Sequence, residues 1–89
     1  MNNINFLRIC RQLLVERYNK MSDFKQTIGE EDIQVIWSCQ TLQNNKAILS
    51  TNYKDGIYYE ISYDGNKKEF NLDVYHKIDN SIYSDVVEY

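Results

Sequence analysis

The side chains able to carry chemistry are few: one histidine, His76, two cysteines, Cys10 and Cys39, and one dense acidic run, Glu30-Glu31-Asp32. A zinc site on His76 needs thiolates or carboxylates around it. The apolar pattern around Cys10 and Cys39 assigns both sulfurs to the core as reduced thiols, away from metals, disulfides and nucleophilic work. The acidic run lacks the Asp-x-Asp-x-Asp-Gly spacing that gathers oxygens around calcium. Gly29, Gly56 and Gly65 are each accounted for by a turn, which leaves none for a loop that cradles phosphate. The expectation is a protein that is not an enzyme and uses no cofactor and no metal.

The 89 residues suit a single small domain, 1–89, and 43% hydrophobic content supplies one continuous core. Eight tyrosines and no proline favour strands with half-wet positions. No apolar run approaches the roughly 18 residues that span a bilayer, and the first residues lack the basic and apolar regions of a signal peptide. The expected location is the cytoplasm of the cell that makes it. The net charge of −3 is uneven. Up to Lys25, five basic residues face two acidic ones; beyond it, five lysines face eleven acids. Such polarity can steer a charged partner.

Residues 4–21 form an amphipathic helix, because Phe6, Leu7, Cys10, Leu13, Leu14, Tyr18 and Met21 recur at steps of three and four. Asn3 or Asn5 can cap it, and Glu16 with Lys20 makes an i, i+4 pair. Thr27 and Glu30 stand at capping-box spacing in the connection that follows. From Ile33 the period becomes two, giving strands at 33–40, 46–53, 57–63 and 67–72. Ile33, Val35, Trp37 and Cys39 share one face of the first. A three-residue turn at Lys54-Asp55-Gly56 opposes Thr51 to Tyr59 and Leu49 to Ile61, and a two-residue turn within Asp64-Gly65-Asn66 keeps Phe70, Leu72 and Val74 on the same side. Leu72, Tyr75, Ile78 and Ile82 then have helical spacing, which favours a short helix at 73–84; a strand turned at Asp79-Asn80 is the alternative. The expected fold is α+β, a helix packed on a four-stranded antiparallel meander and followed by a short C-terminal helix.

The face of the sheet away from the first helix would show Ile36, Ile48, Tyr58, Glu60 and Tyr75 among polar residues, and these are candidate anchors for a partner. A C-terminal helix covering part of that face explains them equally well. The polar loop 41–46, with Gln43, Asn44, Asn45 and Lys46, is a second candidate recognition surface. Nucleic acid is a poor fit: double-stranded RNA-binding domains share the helix, sheet and helix outline but place basic residues at the last helix. Here that region reads Asp73, Tyr75, His76, Lys77, Asp79.

Trp37-Ser38-Cys39, the run Thr41-Leu42-Gln43-Asn44-Asn45-Lys46-Ala47, Leu49-Ser50-Thr51, Tyr58-Tyr59-Glu60 and Leu72-Asp73-x-Tyr75 together resemble a family of small proteins of unknown function from phages and prophages of low-GC Gram-positive bacteria. The resemblance runs from Ile33 to Lys77, with Gln40 in place of a lysine. It implies a context, a phage accessory protein at work in the infected cell, and assigns no site residue. In that context the expected function is stoichiometric binding to a host or phage protein, such as inhibition of a host defence system in the manner of an anti-CRISPR. The alternatives are a small nucleic-acid or nucleotide binder using Arg8, Arg11, Arg17 and Lys20 of the first helix, and a structural homo-oligomer, a homodimer being the simplest.

Overall fold

The computed structural model describes residues 1–20, 27–53 and 55–84. Helix α1, Asn3–Lys20, is followed by a single 3₁₀ turn at Glu30–Asp32 and four strands: β1 Ile33–Thr41, β2 Asn44–Thr51, β3 Ile57–Asp64 and β4 Glu69–His76. They form one antiparallel sheet in the order β1-β2-β3-β4, with α1 on one face. The α+β expectation is met by the helix and the four-stranded meander. Met21 and Lys54, both used above, lie outside the described residues.

Asn2, rather than Asn3 or Asn5, opens α1: its Oδ1 accepts the Asn5 amide at 2.8 Å while its carbonyl accepts the Phe6 amide. Phe6, Cys10, Leu14 and Tyr18 are buried at a constant spacing of four. They meet Ile33, Ala47, Leu49, Tyr59 and Ile61 from the sheet, with Ile28 closing one end. Each fully buried side chain of this kind contributes about 1.5–3 kcal/mol relative to exposure. Glu16 and Lys20 pair at 2.8 Å on the solvent side, as their spacing predicts. The cap before β1 uses a different residue from the one expected. Asp32, not Glu30, closes the turn, its Oδ2 accepting the Gly29 amide at 2.9 Å.

The main correction concerns β1. Val35 pairs with Leu49 but Trp37 pairs with Ile48, so Ile36 is an extra residue, a β-bulge. A bulge exchanges the faces of everything beyond it. Ile33 and Val35 point to the helix as expected, whereas Trp37 and Cys39 turn outward and Ser38 turns inward, where Asn3 Nδ2 donates to its Oγ at 3.1 Å. Trp37 is 49% exposed.

Both remaining hairpins keep the expected faces but not the expected partners. Leu49 opposes Tyr59 and Ala47 opposes Ile61, two residues from the pairing that a three-residue turn gives. The chain spends residues 52–56 on the connection, with Gly56 left-handed at φ 75 and Asp55 Oδ1 accepting the Ile57 amide. The β3–β4 connection takes four residues instead of two, so Ile61 opposes Leu72 and Tyr59 opposes Val74. Asp64 Oδ1 accepts both the Asn66 and Lys67 amides there, and Lys68 closes the turn at φ 56. Gly65 is required by a close approach: a Cβ on it would run into the Gln43 carbonyl of the β1–β2 turn, where Asn44 Oδ1 already accepts the Gly65 amide at 3.0 Å.

The expected C-terminal helix at 73–84 is absent. Asp73 to His76 complete β4 opposite Glu60 to Ile57, and residues 77–84 form neither helix nor strand. Ile78 and Ile82 have helical spacing, but Asp73 to His76, which would form the first turn of that helix, are held in the β3 ladder, and both isoleucines remain almost fully exposed.

Candidate protein-interaction face

Among the described residues no second helix covers the sheet, and the face away from α1 is open along its length. Alternation along the four strands puts Ile36, Trp37 and Cys39 on it from β1, Lys46, Ile48 and Ser50 from β2, Tyr58, Glu60 and Ser62 from β3, and Asn71, Asp73 and Tyr75 from β4. Ile36, Ile48, Tyr58, Glu60 and Tyr75 line one shallow groove of about 480 Å³. Five residues singled out from the sequence as anchors are thus brought together by the fold.

Lys46 and Glu60, diagonal neighbours on β2 and β3, form an ion pair of 3.0 Å at the centre of the face. Glu60 is the partner of two groups. Its hydrogen bond and charge hold the Lys46 ammonium above its ordinary value, and its charge, followed by that of Asp73, raises the Tyr75 phenol. On the other side of this pair a second groove of about 480 Å³ is bounded by Trp37, Cys39, Ser62 and Asn71. The strand positions of the open face carry Glu60, Asp64, Glu69 and Asp73 against Lys46, so aromatic and aliphatic surface is set in an acidic surround.

The loop residues separate. Gln43 is at the tip of a two-residue turn with Leu42, which takes φ 55. Asn44 opens β2 and braces Gly65. Asn45 faces the helix side, is buried, and donates from Nδ2 to the Met1 carbonyl at 3.2 Å. Asn45 is thus set apart by its burial from the exposed Gln43 and Asn44 among the recognition candidates. β2 starts at Asn44, so most of the stretch read as loop is strand.

Alternation missed Trp37 and Cys39, which it assigned to the core. The visible signal was the unbroken apolar run Val35-Ile36-Trp37, which a two-residue period cannot place on one face.

The chemistry-bearing residues stay dispersed. His76 ends β4, Cys10 is buried on the inner side of α1, and Asp32 is committed to its turn. Among the described residues no group of three or more His, Cys, Asp or Glu side chains is placed to hold a metal ion, and no helix is long and apolar enough to cross a membrane.

No curated protein and no solved structure matches the chain. Residues 7–85 match DUF6275, a family of unknown function. That match covers α1 from Leu7 onward, the whole sheet and the segment beyond it, and the chain belongs to this family.

Proposed function

We propose that this protein works without catalysis, by stoichiometric binding of a protein partner on the open face of its sheet. The observation that carries the reading is the bulge at Ile36, which sets Ile36 and the single tryptophan side by side on a solvent-facing surface, next to Ile48, Tyr58 and Tyr75. Aromatic anchors with an acidic surround are the composition of an interface core with a polar rim. The resemblance to small phage and prophage proteins supplies the setting: an accessory protein acting in the host cytoplasm, occupying a host or phage protein, with a component of a host defence system as the target class.

The test is capture from a lysate of infected cells, with nuclease present, using the wild-type chain and the Trp37→Ala/Tyr58→Ala double variant. Both substituted side chains lie outside the core, so the far-ultraviolet spectrum is expected to be unchanged. A protein held by the wild type and lost, at least tenfold, by the variant supports the reading. Capture of the chain alone, or equal capture by the variant, overturns it. A complex that disappears with nuclease treatment overturns it in favour of nucleic acid.

A further inference from the structure

We infer that a second copy of this chain pairs with the free edge of β4, joining two four-stranded sheets into one of eight strands. Among the described residues β4 is hydrogen-bonded on one side only, to β3. Lys77 donates its amide to the Gly56 carbonyl at 2.7 Å, which fixes the alternation along the strand. Glu69, Asn71, Asp73 and Tyr75 direct their backbone groups to β3; Phe70, Leu72, Val74 and His76 present theirs to the open edge.

The two edges of the sheet differ. β1 carries the bulge at Ile36, one of the devices that twist an edge away from pairing, while β4 is eight residues long with no bulge, no proline and no lysine. What such an edge accepts is another extended backbone. The sequence of β4 favours a copy of itself. In an antiparallel pairing centred on Leu72, Leu72 meets Leu72 and Phe70 meets Val74 on the helix side, while Glu69 meets Tyr75 and Asn71 meets Asp73 on the other. Within β4 no like charges face each other. Centring on Asp73 opposes that carboxylate to its own copy, and centring on Asn71 opposes Glu69 to Asp73, so within the strand charge favours the Leu72 register, although it sets Lys67 against Lys77 just beyond the strand ends.

One more feature fits this register. Val74, 45% exposed on the helix side, gains Phe70 of the second copy as a neighbour, beside the shallow groove that Leu13, Phe70 and Leu72 form. The two-fold axis is then normal to the sheet, and the two open faces merge into one.

The experiment is sedimentation equilibrium of the full chain from low micromolar to about 1 mM, since a one-strand interface lies at the small, weak end of the range. The expected result is a dimer whose dissociation constant rises at least tenfold in Val74→Pro, which removes an edge amide without touching the β3 ladder, and in Val74→Lys, which places a charge there. Ile36→Lys on the open face leaves it unchanged. A monomer throughout, or a dimer indifferent to Val74→Lys, overturns the inference. A dimer broken by Ile36→Lys also overturns it, by placing the second copy on the open face.

Discussion

Trp37 lies opposite Ile48 on the open face of the sheet, only two residues after Val35 has met Leu49 on the face that α1 covers. A two-residue step should have kept both on one side. The insertion of Ile36 sends Trp37 outward instead, and the surface proposed for partner binding exists because of it. The direct check is the fluorescence of the one tryptophan. Acrylamide is expected to quench the native protein readily, with an emission maximum that moves little on unfolding. Deleting Ile36 restores the alternation and is expected to shift native emission to shorter wavelength, provided the variant folds.

The same bulge divides the two cysteines. Cys10 is fully buried between α1, which carries it, and the sheet, whereas Cys39 shares the open face and is half-buried. In native protein at pH 8, maleimide is expected to label Cys39 and spare Cys10, and both react after denaturation. Intact-mass spectrometry reads one adduct against two.

Alkaline pH is expected to weaken the fold through two buried acids. Burial pushes the Cys10 thiol from its ordinary 9.0 up to about 12, and the Tyr59 phenol from 10.0 up to about 12. The unfolded chain releases these protons first, so it binds fewer than the native state once pH exceeds 9. Their contribution is fully present below pH 9 and is lost as pH rises toward 12, with a slope of at most about 1.4 kcal/mol per pH unit for each group. Urea midpoints at pH 8, 9, 10 and 11 test the sign.

Tyr59 offers a separate test, because its hydroxyl is buried with no hydrogen-bond partner among the described residues. An unsatisfied buried hydroxyl costs about 1–3 kcal/mol. Tyr59→Phe is therefore expected to raise stability by about 1 kcal/mol and to flatten the alkaline decline. A loss of stability in the urea midpoint would mean that the hydroxyl is satisfied.

Two glycines should respond differently to alanine. At Gly65 the added methyl meets the backbone of Gln43, which cannot move without disturbing the β1–β2 turn, and a loss of about 1–3 kcal/mol is expected. At Gly29 the methyl meets only the carboxylate end of the exposed Glu31 side chain, and the change should stay within about 0.5 kcal/mol. Leu14→Ala, in the core, sets the upper scale at about 2–5 kcal/mol, and Ile82→Ala, almost fully exposed, the lower.

Which residues form the helix, which form strands, and which face each strand buries after the first were legible in the sequence, because periods of four and two are properties of the chain itself. Parity survives any slip by two residues. That is why Leu49, Tyr59, Ile61 and Leu72 were placed on the right side although both hairpins pair an even number of residues away from the expected register, two in the first and two or four in the second. Register itself depends on how many residues a turn consumes once Asp55 and Asp64 have bonded to the backbone, and only the closed hairpin decides it. The bulge at Ile36 is a property of β1 against β2 and not of β1 alone. The helical spacing of Leu72, Tyr75, Ile78 and Ile82 was real but decided nothing, since a helix forms there only with an apolar surface to bury, and the folded domain offers β4 a neighbour in β3 instead. Tertiary structure alone therefore decided that one face of the sheet stays open and that Trp37 stands on it.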